Sequence, residues 1–206
     1  MIIIIEGAQG SGKTHLIKSL KETISKLDYK IPDKKIIFYK YKHVEYMDKL
    51  EFNDMEGDKS FHYFTISNTL TILGLHELIL SDTVFVFDRG IFSAYVWSIL
   101  RKRMDINRLK LELRNLLMLN SYRNCHIIRI KSNNKMERDH TDIFDKHANV
   151  SLENGIFDEL FKLNSNLIDC KDKNNTFTEI TNTFDKLSEA ELFTTFRKIS
   201  SLNRYK

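Results

Sequence analysis

Residues Gly7 to Thr14 read Gly-Ala-Gln-Gly-Ser-Gly-Lys-Thr, a spacing that can wrap a polyphosphate. Such a loop turns successive backbone N–H groups toward one anion. It also brings a lysine ammonium, Lys13, to the terminal phosphates and offers a threonine hydroxyl, Thr14, to a magnesium ion. A chance match in a chain this long arises about one time in a hundred, and the flanking residues narrow that further. An apolar run, Met1 to Ile5, precedes the loop, and Leu16, Ile17, Leu20, Ile24 and Leu27 follow it at helical spacing, so the loop joins a strand to a helix. Gly7, Gln9, Gly10, Ser11, Gly12, Lys13, Thr14 and the adjoining His15 are the expected nucleoside triphosphate-binding set.

A second constellation closes the apolar run Thr83 to Phe87, which ends in Asp88 and Arg89. In a parallel sheet the carboxyl edge is where ligands bind. A carboxylate there can hold the magnesium shell with Thr14, and a guanidinium beside it can grip phosphate bidentately. Taken alone, the pair would also suit a strand-end salt bridge.

Five short apolar runs are needed to position these groups: Met1 to Ile5, Ile36 to Tyr41, Thr83 to Phe87, Cys125 to Ile130 and Asn166 to Cys170. Longer helical patterns alternate with them at about Lys13 to Lys26, Ser60 to Leu80, Ile91 to Arg101, Ile106 to Tyr122, Leu152 to Leu163 and Phe177 to Leu187. That alternation predicts an α/β fold with a five-stranded parallel sheet and helices on both faces. A last helix starts at Ser188, where Ser188 and Glu191 form a capping box and Leu192, Phe193, Phe196, Ile199 and Leu202 make an apolar stripe. The stripe suits packing on the body of the domain.

The chain has 206 residues, enough for one domain with a sizeable core. Hydrophobic residues at 42% and a single proline argue against linkers and low complexity. The net charge of +4 comes from basic residues spread among acidic ones, which argues against a nucleic-acid partner. Cys125 and Cys170 sit in strand-like runs, as reduced thiols of a reducing compartment would. No apolar run approaches the roughly 20 residues of a membrane span, so a cytoplasmic protein is expected, in the host cytoplasm if the source is viral. The histidines show no metal-ligand spacing.

Asp88-Arg89-Gly90-Ile91-Phe92-Ser93-Ala94-Tyr95 resembles the Asp-Arg-aromatic-x-x-Ser segment of thymidylate kinases, and also the Glu-Arg-Ser-x-x-Ser segment of deoxynucleoside kinases. Glu137 to Asp145, with Arg138, Asp142 and Phe144, resembles the thymidylate kinase lid. The resemblance covers most of residues 1–187 and implies a P-loop kinase domain with a lid near 132–150, followed by a helical extension, 188–206. It implies transfer of the γ-phosphoryl of ATP, with magnesium, to a deoxynucleoside monophosphate, dTMP as first choice, and a homodimer. Lys13, Asp88, Arg89 and Arg138 take the catalytic roles in that scheme: Thr14 and Asp88 organise the metal, Arg89 bridges the two phosphates, and Arg138 acts as an arginine finger in cis.

On the acceptor side the candidates are His43, Glu45, Phe64, Asn68, Ser93 and Asp142. The family's acceptor-helix arginine is missing from Ser60 to Leu80, and Val96 and Trp97 stand where its glutamine follows Ala-Tyr. Phe64 reads either as a base platform or as core. A deoxynucleoside kinase is the alternative, with Glu45 as the base for the 5′-hydroxyl and Arg129-Ile130-Lys131 resembling the lid approach of those enzymes. A nucleotide-binding protein without kinase activity, or a nucleic-acid 5′-end kinase, is the remaining reading.

Overall fold

A computed structural model describes residues 1–40, 82–100, 107–108, 111, 125–132, 150–167 and 177–201. In chain order the elements are β1 (Ile2–Glu6), α1 (Lys13–Lys26), β2 (Lys35–Lys40), β3 (Thr83–Asp88), α2 (Ile91–Leu100), β4 (Cys125–Lys131), α3 (Val150–Leu167), β5 (Phe177–Thr181) and α4 (Lys186–Ser201). Among the described strands every ladder is parallel, and their order is β2-β3-β1-β4-β5.

The four consecutive isoleucines of β1 account for its central place. Successive side chains point to opposite faces of a sheet, so a strand apolar at every position must be covered on both sides. Ile2 and Ile4 pack with Phe85, Phe87, Phe92, Tyr95, Ile127, Phe157 and Leu160 under α2 and α3. Ile3 and Ile5 face the other way, toward Leu16 and Leu20 of α1 and Leu192, Phe196 and Ile199 of α4. Each such burial contributes about 1.5–3 kcal/mol. The α/β architecture expected of the alternating runs is thus present, with α1 and α4 on one face and α2 and α3 on the other.

The chain visits β2 and β3 on one side of β1 and β4 and β5 on the other. The carboxyl end of β1 therefore lies at the switch point of the strand order, where sheets of this kind form their ligand crevice. Ile5 pairs in register with Asp88 on one side and Ile128 on the other, which fixes the loop after β1 beside the end of β3.

Two elements differ in place or kind from the sequence expectation. The fifth strand is Phe177–Thr181, not Asn166 to Cys170; Asn166 and Leu167 close α3, and 168–170 lie outside the described residues. Correspondingly, no helix spans Phe177 to Leu187. Phe-Thr-Glu-Ile-Thr alternates, with Ile180 buried and Glu179 exposed, and this period of two at a sheet edge wins over the helical reading of Phe177 to Leu187.

The last helix begins at Lys186, and its cap is Asp185 rather than Ser188. Asp185 Oδ1 accepts from the N–H of Leu187 (3.1 Å) and of Ser188 (3.0 Å), while Ser188 Oγ accepts from Thr183 N–H at 3.1 Å. A side-chain carboxylate on the first free amides also suits the positive end of the helix dipole. Those contacts hold the Asp185 carboxyl below its ordinary range, the Ser188 backbone bond foremost. The expected helices over 60–80 and most of 106–122 lie outside the described residues, with Asn107, Arg108 and Leu111 helical.

Candidate active site

The loop leaves β1 at Glu6 and enters α1 at Lys13. Gly7 has φ +144°, and a Cβ there would strike the Ile130 carbonyl on β4. Gly12 has φ +82° and precedes α1 without any side-chain cap; a Cβ there would strike the Asn182 amide and the Phe184 ring. Only glycine fits either place. The amides at the start of α1 are left for a ligand, the arrangement that makes a helix N-terminus an anion site.

Lys13 is buried at 4% exposure. Its ammonium donates to the Ala8 carbonyl at 2.6 Å and to Ser11 Oγ at 3.3 Å, so it lies folded over its own loop. Burial, and then the Arg89 charge, pull its pKa well below the ordinary lysine value, opposed by Asp88, Glu153 and Glu6. A polyphosphate entering the loop would supply the negative charge this ammonium lacks.

Thr14 Oγ1 donates to Asp88 Oδ2 at 3.1 Å, which brings the last loop residue and the end of β3 together. A hydroxyl and a carboxylate side by side are a donor set for magnesium, which takes one or two protein oxygens and completes its shell with phosphate and water. Among the described residues no group of three or more His, Cys, Asp or Glu could hold a metal ion.

Arg89 has φ +71°, a left-handed backbone that costs a non-glycine residue roughly 1–3 kcal/mol. Its N–H donates to the Ile5 carbonyl at 3.0 Å, and its guanidinium reaches Ser93 Oγ at 3.4 Å. The kink turns the chain from β3 into α2 and holds Arg89 at the crevice.

Three residues that sequence reasoning missed complete the frame. Glu6 is fully buried and accepts from the N–H groups of Phe92 (3.1 Å) and Ser93 (3.4 Å), and from the Ser93 hydroxyl. Burial raises its pKa, against the lowering effects of Ser93, Arg89 and Lys13. Glu6 could have been found by the argument that found Asp88, since it too is an acid ending an apolar strand. Glu153, at 1% exposure in the first turn of α3, accepts from the Gln9 N–H at 2.5 Å. Asn182, after β5, donates to the Ser11 carbonyl at 2.8 Å and accepts from Phe184 N–H at 2.9 Å, so the β5–α4 turn clasps the phosphate loop. Nothing in the sequence marked contacts across 144 or 171 positions.

The remaining expected site residues divide in two. His15 faces α4, 3.3 Å from Glu189, and Ser93 lies at the crevice with Glu6 and Arg89. His43, Glu45, Phe64, Asn68, Arg138 and Asp142 lie outside the described residues. Arg129, on the approach to the expected lid, is buried and paired with Asp158 (2.5 Å) and Glu179 (3.0 Å), over the rings of Phe157 and Phe161. It ties β4, α3 and β5 together.

No family model and no curated protein matches the chain by sequence. Solved structures do match. Thymidylate kinase from Ehrlichia chaffeensis superposes with a TM-score of 0.58 at 17% identity, over 95% of this chain and 98% of that one. Thymidylate kinase from Candida albicans gives 0.53 at 14%, over 96% and 91%. Deoxyadenosine kinase from M. mycoides, with bound dATP, gives 0.59 at 15%, over 96% and 99%. Together with the phosphate loop and the parallel five-stranded sheet, these likenesses give the chain the P-loop fold shared by thymidylate kinases and deoxynucleoside kinases.

Proposed function

We propose that this chain is a phosphotransferase that moves the γ-phosphoryl of ATP to a deoxynucleoside monophosphate, with dTMP as the first candidate acceptor. The observation that carries the reading is the convergence of Lys13, Thr14, Asp88 and Arg89 on one crevice at the carboxyl edge of the sheet, with Thr14 Oγ1 and Asp88 Oδ2 3.1 Å apart.

An acceptor phosphate oxygen attacks the γ-phosphorus while the bond to the β–γ bridging oxygen breaks, and ADP leaves. Charge spreads over the transferred group, so the protein's part is positioning and electrostatic stabilisation. The amides of Gly10 to Lys13 would hold the β-phosphate, with the Gln9 amide offered beside them, and the Lys13 ammonium would exchange the Ala8 carbonyl for γ-phosphate oxygens. Arg89, held at its kink and steadied by Ser93, would bridge donor and acceptor phosphates. Thr14 and Asp88 would hold magnesium, which supplies charge neutralisation on the phosphates. In the same reading Arg138 would act as an arginine finger in cis over the developing charge, with Asp142 beside it in the lid sequence, and the homodimer and cytoplasmic setting belong to it.

The likeness to a deoxyadenosine kinase, at a TM-score of 0.59, supports the second reading, in which the acceptor is a deoxynucleoside and Glu45 takes the proton from its 5′-hydroxyl. ADP release from ATP and magnesium, measured against a panel of deoxynucleoside monophosphates and the matching nucleosides, separates the two. Turnover with one monophosphate upholds the first and names the base. Turnover with nucleosides alone moves the assignment to the second and makes Glu45→Gln the next variant. ATP binding without turnover on any acceptor would leave a nucleotide-binding protein.

A further inference from the structure

The loop that would take a polyphosphate already holds an anion of the protein's own. Glu153 reaches the Gln9 N–H from α3 at 2.5 Å, with its side chain 1% exposed. A carboxylate on a backbone amide is a charge-assisted bond, the same interaction a phosphate oxygen makes with such a loop. The Lys13 ammonium is meanwhile held by the Ala8 carbonyl and the Ser11 hydroxyl. Both a donor and the cation of the loop are thus engaged internally. The charge of Glu153 is also felt at Lys13.

We propose that Glu153 is a built-in competitor for the phosphate loop, a carboxylate that stands on the Gln9 amide and must yield when a polyphosphate enters. The inference rests on the reading that this loop binds nucleotide phosphates, and it deepens that reading by naming what tunes the affinity. Competition and occupancy are reciprocal: whatever free energy the incoming phosphate loses in displacing Glu153 is the free energy by which Glu153 weakens the phosphate. Glu153 thereby sets nucleotide affinity below what the loop alone would give, a property that favours ADP release.

The test is calorimetric titration of the full chain with inorganic tripolyphosphate, which lacks base and sugar, and with ATP. Wild type, Glu153→Gln, Glu153→Asp and Lys13→Ala are compared. Glu153→Gln keeps the size and an acceptor oxygen but removes the charge, and it is expected to bind both probes on the order of ten-fold tighter. Glu153→Asp keeps the charge but withdraws it by one methylene, so its affinity should fall between the two; it carries the test if the glutamine variant does not fold. Equal or weaker binding by both Glu153 variants, with binding still lost in Lys13→Ala, overturns the competitor and leaves the loop reading standing. Binding that survives Lys13→Ala, or no binding by any of the four proteins, overturns the loop reading and the competitor with it.

Discussion

Glu6 and Lys13 carry opposite charges at the same loop, and burial works against both. The Glu6 carboxyl is raised above its ordinary value and the Lys13 ammonium is lowered below its own. For Glu6 the folded chain holds a proton that the unfolded chain has released, over the interval from 4.5 up to the raised folded value. Stability must therefore fall as pH rises through that interval. Glu6→Gln removes the titration, so its thermal midpoint, followed from pH 4 to 8, should decline less with rising pH than that of the wild type. Parallel curves would mean that Glu6 is no proton-linked site.

Lys13→Ala belongs with the same pair. It should lower kcat/KM by roughly 10²–10³ while leaving the folded state intact, because a buried cation is itself costly. Steady-state kinetics beside a thermal melt check both halves. These residues were legible from sequence because the loop is contiguous and Asp88 and Arg89 end an unmistakable apolar strand. Glu153 and Asn182 were not, since each acts across a fold that had to exist before the contact could be seen.

Elements were legible in proportion to how completely they are buried. β1, β3 and β4 lie inside the sheet and are nearly continuous in apolar residues, and α1 shows its stripe at Leu16 and Leu20. The edge strand β5 has one covered face, so its signal shrinks to Ile180 between polar neighbours, and a helical reading of that stretch competed successfully. Asp185, which caps α4, is equally local but was overlooked beside the stronger-looking Ser188 and Glu191 pattern. Asp185→Ala should lower the thermal midpoint by about 2–4 °C, and Asp185→Asn by less, since an amide oxygen also caps. Arg129→Ala tests the junction of β4, α3 and β5. Removing the buried guanidinium leaves Asp158 and Glu179, 39% and 43% exposed, with Lys131 at 3.4 and 3.9 Å and water to offset part of the repulsion. A loss of about 3 kcal/mol in urea unfolding is expected, at the lower end of the range for a broken buried pair. A loss under about 1 kcal/mol would mean that stacking on Phe157 and Phe161 contributes little.

The two ends of the described chain meet at the phosphate loop. α1 and α4 pack side by side on one face, where Ser19 and His15 engage Glu189, Tyr29 engages Ser200, and Asn182 holds the Ser11 carbonyl. Leu192, Phe196 and Ile199 are at most 2% exposed and cover Ile3 and Ile5. Withdrawing those three side chains forfeits about 5–9 kcal/mol of burial, against a total stability for most domains of about 5–15 kcal/mol. The final helix is then a structural necessity for the loop it sits behind. A chain ending at Phe184 should lack a cooperative unfolding transition and show no ATP-dependent rise in thermal midpoint. The full chain at a hundred-fold excess of ATP over its Kd should gain about 2.7 kcal/mol. A truncated chain that still melts cooperatively and still answers to ATP would make residues 185–206 an appendage, and would place the stability of the phosphate loop in β1, α1 and the β5 turn alone.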